Sequence, residues 1–149
     1  MAHRQPHRPR PADDGWSYLF AAWLLALAAT LTVLYVGEIL GQTPCNLCWF
    51  QRAFMFPLAV VLGIAAYRAD AGIWRYALPL AVAGAFVAAF HTALYVGLVP
   101  EAIEPCGRGP SCTSGDMTIA GGAPLPVLSL AVFVLIALLL LLARRGSTR

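Results

Sequence analysis

Lysine is absent from this 149-residue chain, and charge of either sign is scarce: ten arginines and seven acidic residues make up 11% of it. A soluble domain carries about a quarter charged residues and fewer apolar ones, whereas 60% of this chain is hydrophobic. The imbalance excludes the ordinary soluble classes, and the length leaves no room for a second sizeable domain. The net charge is only +3, and no basic patch with interleaved aromatics marks a nucleic-acid surface. Cysteine is sparse too. The chain has four, and none sits in the interior of a long apolar run.

Long apolar runs are what the chain does have. Crossing a bilayer core takes about 20 such residues, and four runs qualify: 16–37, 48–67, 74–99 and 126–143. The ionisable intruders are Arg52 and His91. Trp16, Tyr18, Tyr67, Trp74 and Tyr76 gather at one set of ends, as aromatics do at a membrane–water interface. Pro57 and Pro79 lie inside runs two and three, which is tolerated where neighbouring helices satisfy the carbonyls they release. The first run follows a basic N-terminus, as a signal peptide does. It is longer than a signal's apolar core and three more runs follow it, so it reads as retained. The expectation is an all-α, integral membrane bundle of four helices over residues 16–143. Residues 1–15 and 144–149 are then its two tails.

Arginine placement orients that bundle. Arg4, Arg8 and Arg10 precede the first run, Arg68 and Arg75 stand at the junction of the second and third, and Arg144, Arg145 and Arg149 end the chain. With an even number of spans these fall on one side. The opposite side keeps Arg52, Arg108, Glu38, Glu101, Glu104 and Asp116. The positive-inside rule then predicts cytoplasmic termini and places every cysteine outside.

The cysteines form two close pairs. Cys45 and Cys48 open the second run in the stretch TPCNLCWFQR, and Cys106 and Cys112 lie in the second outer loop. Disulfides persist outside the cytosol. A structural staple is one reading, although a ring as small as Cys106 to Cys112 contributes only about 2 kcal/mol. A four-thiolate zinc set is another, with a spacer in the second pair looser than the usual knuckle. Coincidence is the third, and it sits poorly with four cysteines facing one side.

Local chemistry favours a redox pair over these. Thr43 is a candidate N-cap and Pro44 a candidate first helical residue, so the helix would begin at the C-x-x-C. Both thiols would then meet unsatisfied N–H groups and the positive end of the helix dipole, which favour thiolate. Arg52 stands four residues beyond Cys48, about 6 Å along the axis and on the same face. It is read either as an arginine snorkelling to the interface or as a cation that lowers the Cys48 pKa and meets a polar head group. His91 is expected about two turns below the outer end of its run, near the depth of Arg52. It is either a hydrogen-bonding partner for another helix or, as intramembrane ionisable groups usually are, a functional residue. Two polar groups under a reactive thiol outline a pocket for an apolar molecule with a polar head. A quinone has that shape.

At this point the chain resembles the DsbB family of disulfide bond formation proteins, in particular its short BdbC-like members. The resemblance rests on P-C-N-L-C-W-F-Q-R (44–52), His91, the Cys106/Cys112 pair and A-P-L-P-V-L-S-L at the opening of the fourth run. It implies a disulfide-generating protein-thiol:quinone oxidoreductase of the bacterial inner membrane. Its partner would be a DsbA-like extracytoplasmic thiol oxidase, and its cofactor a quinone, ubiquinone or menaquinone. By the same analogy Cys106 and Cys112 meet the partner, Cys45 and Cys48 receive the electrons, and Cys48, Arg52 and His91 face the quinone. The family's best-known members have a long segment between the second two cysteines. Here only Gly107 to Ser111 lies between them, in a Gly- and Pro-rich loop expected to be mobile. A membrane scaffold with structural outer disulfides is the rival reading. A thiol-reducing conduit running electrons the other way, outward across the bilayer, is disfavoured, because runs one, three and four hold no cysteine.

Overall fold

A computed structural model describes residues 12–100, 118–119 and 122–147. Helix α1 spans Ala12–Leu34 and continues through a wider π-helical turn, Tyr35–Ile39. Helix α2 spans Asn46–Arg68, a 3₁₀ turn covers Ala71–Ile73, and α3 spans Trp74–Tyr95. Two short strands, β1 (Thr118–Ile119) and β2 (Ala123–Pro124), pair antiparallel just before α4, Leu125–Ser147. The four expected runs are therefore four helices long and apolar enough to cross a membrane: Gly15–Ile39, Asn46–Arg68, Ala71–Tyr95 and Leu125–Gly146. Among the described residues, this short two-stranded ribbon is the one addition to an otherwise all-α architecture.

Three boundaries differ from the sequence reading by four residues: α1 starts at Ala12, α4 runs on to Ser147, and α3 stops short. The third run extends to Val99 by hydropathy, yet α3 ends at Tyr95. The N–H of Leu98 bonds to the Ala93 carbonyl at 2.9 Å and that of Gly97 to Leu94 at 3.0 Å. This paired closure satisfies the last carbonyls of the helix while turning the chain away. Hydropathy does not register it.

Each helix packs on its sequence neighbours, and α1 closes on α4, so the four make a ring. Its centre holds Leu19, Leu58, Leu62, Phe133, Ile136 and Leu140, all fully buried. Buried alanines surround them, Ala22 and Ala26 on α1, Ala59 and Ala65 on α2, Ala77, Ala81 and Ala88 on α3. Small side chains let helix backbones approach closely, which is what drives association where lipid is as apolar as the core. Large apolar groups such as Val60, Ile64, Tyr67, Phe86 and Leu138 point outward, as a lipid-facing surface requires.

One end of the ring is tied by aromatics. Trp16 Nε1 donates to the Ala66 carbonyl at 2.9 Å, and Trp16 stacks on Phe20 with ring centres 5.1 Å apart. The Arg144 guanidinium lies over the Trp74 ring at 4.5 Å. Indole and guanidinium thus meet at the end where the sequence places interfacial aromatics and arginines.

Helices α3 and α4 approach closely where the Phe133 ring occupies the space a Cβ on Gly84 would fill. Gly84→Ala is expected to destabilise the detergent-solubilised protein by about 1–3 kcal/mol through overpacking, read as a lower thermal unfolding midpoint. A compensating Phe133→Leu should recover part of the loss.

Candidate functional site

Helix α2 begins with a sulfur. Cys45 is its N-cap, in extended backbone (φ −70°, ψ 169°), and its Sγ accepts the N–H of Cys48 at 3.3 Å. This corrects the expectation that Thr43 caps and Pro44 leads the helix. The Cys45 sulfur does for the third N–H of the helix what a Ser or Asp oxygen would do, so the turn starts after Cys45 and Pro44 stands outside it.

The cap brings the pair together. Cys45 Sγ and Cys48 Sγ are 2.8 Å apart; Cys45 is fully buried and Cys48 half-buried. Cys45 lies just outside the spanning segment, and its thiol is held well below the ordinary 9.0, at about 5. The main cause is the hydrogen bond from the Cys48 side chain. Burial opposes it, and His91 and the Cys48 N–H add to it. The helix start is expected to favour thiolate at both cysteines, with Arg52 acting further on Cys48; in the structure it is the Cys45 sulfur that accepts the Cys48 N–H and faces His91 Nε2.

His91 reaches this pair from α3. It stands one turn, about 6 Å, below the end of the helix at Tyr95 and is 1% exposed. That is shallower than the two turns expected, because α3 stops early. Its Nε2 faces Cys45 Sγ at 3.9 Å, and its Nδ1 meets Gln51 Nε2 at 2.8 Å. Gln51, itself buried, is the site residue that the sequence reading passed over. The signal was present: an amide three residues beyond Cys48 in an otherwise apolar run lies on the same helix face.

Arg52 also sits at the site, but its anchor is α1. Nη2 donates to the Val33 carbonyl at 3.0 Å, and the guanidinium lies 5.4 Å from the Trp49 ring centre. A Cβ on Gly37 would stand 3.0 Å from the same Nη2, so the π-helical turn of α1 forms a seat for the side chain.

These groups border one cavity of about 350 Å³ enclosed by α1, α2 and α4. Cys48, Gln51, Arg52 and His91 supply its polar wall, together with Thr32 and Ser129, and the remainder is mostly apolar. Cys48 reaches the cavity and Cys45 stands behind it. Of the residues singled out in the sequence, Cys45, Cys48, Arg52 and His91 are thus in one place. Cys106, Cys112 and the loop that carries them lie outside the described residues.

A metal centre is a poorer fit. Cys45, Cys48 and His91 bring ligand atoms within 4.8 Å of one another. Among the described residues no fourth His, Cys, Asp or Glu joins them to complete the four-coordinate set a structural zinc takes. The arrangement suits two sulfurs that react with each other.

Known proteins agree with this chemistry. The chain is 55% identical to a "Probable disulfide formation protein" of Metapseudomonas resinovorans, over 94% of this chain and 98% of the relative. It is 38% identical to "Disulfide bond formation protein C" of Bacillus subtilis, over 85% and 92%, and 45% identical to a "Probable disulfide formation protein" of Deinococcus radiodurans, over 87% and 90%. No solved structure matches. The family model for disulfide bond formation protein DsbB matches residues 16–143, the four helices and the site between them, and this multi-pass membrane protein belongs to the DsbB family.

Proposed function

We propose that the chain is a membrane thiol:quinone oxidoreductase that reoxidises a DsbA-like extracytoplasmic thiol oxidase and passes the electrons to a membrane quinone. The observation that carries this reading is the position of Cys48, on the wall of an apolar cavity that also holds Arg52 and His91. A volume of about 350 Å³ lies within the usual range for small-molecule sites. Its few polar groups at one wall suit a ring whose oxygens need donors, with the apolar remainder left for the ring faces and tail.

Arg52 and His91 would hold such a ring, and Cys48 would stand against it. A bound quinone would supply a sink for two electrons and two protons. The chain's own residues do the rest. Arg52, held by Val33, keeps a permanent cation at the cavity wall and has further N–H groups with which to bind an oxygen. Cys45 is kept as a thiolate by the Cys48 N–H and His91, ready to close the disulfide on Cys48. Trp49, under the guanidinium, limits its movement.

On the extracytoplasmic side, the topology expected from the arginines puts both cysteine pairs within reach of a soluble partner. A thiolate of the reduced partner attacks the Cys106–Cys112 disulfide, and the partner's second thiol resolves the mixed disulfide, releasing an oxidised partner. The Cys106/Cys112 dithiol then exchanges with the Cys45–Cys48 disulfide, carrying two electrons inward. Each exchange breaks one S–S bond and forms another.

Two measurements test this. In detergent, with reduced DsbA-like protein and quinone added, quinone reduction should require all four of Cys45, Cys48, Cys106 and Cys112, each tested as Ser. Turnover that survives these changes would sink the reading, and loss of abundance alone would favour a scaffold. Arg52→Ala removes a charge-assisted donor worth about 1.5–3 kcal/mol. Quinone reduction should fall about 10- to 100-fold while disulfide exchange with the soluble partner stays within about twofold. Equal loss of both would show that Arg52 acts on the thiols instead.

A further inference from the structure

Gln51 has no role in the scheme above, yet burying an amide in a membrane helix is costly unless it is hydrogen-bonded. Its contact with His91 identifies what it does. An amide Nε2 only donates, so at 2.8 Å from Nδ1 it makes that ring nitrogen an acceptor. In a neutral imidazole the proton must then sit on Nε2. This is the nitrogen that faces Cys45 Sγ at 3.9 Å.

We propose that Gln51 is a positioning residue: it fixes the tautomer and ring orientation of His91 so that Nε2–H is presented to the Cys45 sulfur, which is thereby held as a thiolate. The arrangement joins α2 to itself through α3. Gln51 and Cys45 both belong to α2 or its cap, and His91 crosses from the facing helix to link them. A ring held at one nitrogen alone could rotate about its Cβ–Cγ bond and present the wrong atom. The second contact, with Gln51, prevents that. The inference rests on the reading of Cys45 and Cys48 as the redox pair, and it concerns the thiolate, not the acceptor of its electrons.

Among the described residues, few other titratable or charged groups surround His91. Cys45, Cys48 and Arg52 come from α2 and its cap. Among the described residues, α1 and α4 line the cavity only with apolar residues and the hydroxyls Thr32 and Ser129. The low value of Cys45, about 5, includes a contribution from His91.

The chain has three histidines, so changing His3 and His7 to Gln leaves His91 as the only imidazole. With Cys106 and Cys112 changed to Ser, the reduced protein reports on Cys45 and Cys48 alone. In this background ¹⁵N NMR of labelled histidine should show the Nε2–H tautomer. Gln51→Met, similar in size but unable to donate, should give a mixture of tautomers. It should also move the first thiolate transition, followed by ultraviolet absorbance, upward by about one pH unit, or roughly tenfold less thiolate at a fixed pH below the midpoint. Gln51→Glu keeps polarity and size but accepts instead of donating, so a proton should appear on Nδ1. An unchanged His91 spectrum in both variants, or an unchanged thiolate transition in Gln51→Met, would overturn the proposal. Because neither readout uses quinone or partner, failure of the relay described above would leave the result standing.

Discussion

A helix that starts at the edge of a bilayer must satisfy its first N–H groups from within the protein, because the lipid offers no partner. In this chain a cysteine sulfur meets that need. Cys45 caps α2, and the N–H contact that completes the helix also stabilises negative charge on the cap sulfur. The same residue is thus structural and chemical. Its position sets the distance to Cys48, which sits three residues on at the first turn. It also decides where His91 must stand to touch it.

The rest of the site follows from keeping polar atoms paired at that depth. His91 and Gln51 satisfy each other across the α2–α3 interface. Arg52, one residue further along α2, turns to the α1 side, where the Val33 carbonyl and the open face of Gly37 receive it. π-helical turns often occur at functional sites, and here one lies beside the arginine. The cavity opens where these three helices and α4 leave room between them, so its polar wall is a by-product of how each buried polar group found a partner.

Most of this was legible in the sequence at the level of elements. Four apolar runs with almost no charge inside them are enough to specify four helices, because a bilayer permits few other spanning structures. Trp16 and Trp74 were readable as interfacial and Arg144 as lying on their side; Trp16 bonds to the Ala66 carbonyl, and Arg144 packs over Trp74. Less legible were the places where a local contact overrides pattern. Hydropathy carried α3 on to Val99, but hydrogen bonds from Gly97 and Leu98 end it at Tyr95. Capping preference pointed to Thr43, since sulfur is rarely considered as a cap, yet Cys45 was better placed. Gln51 was overlooked because an amide carries no charge, and only its partner on another helix gives it a role.

By itself, then, the sequence determined the number of helices, the pairing of C-x-x-C with an arginine one turn beyond, and the family to which the chain belongs. Spacing along one helix and the length of apolar runs are one-dimensional properties, and they survive without a fold. Only the tertiary structure decided which sulfur is the cap, which nitrogen of His91 faces it, and where Arg52 points. Those depend on atoms from α1 and α3 arriving within hydrogen-bond distance of α2, across separations of 19 to 46 residues in the chain.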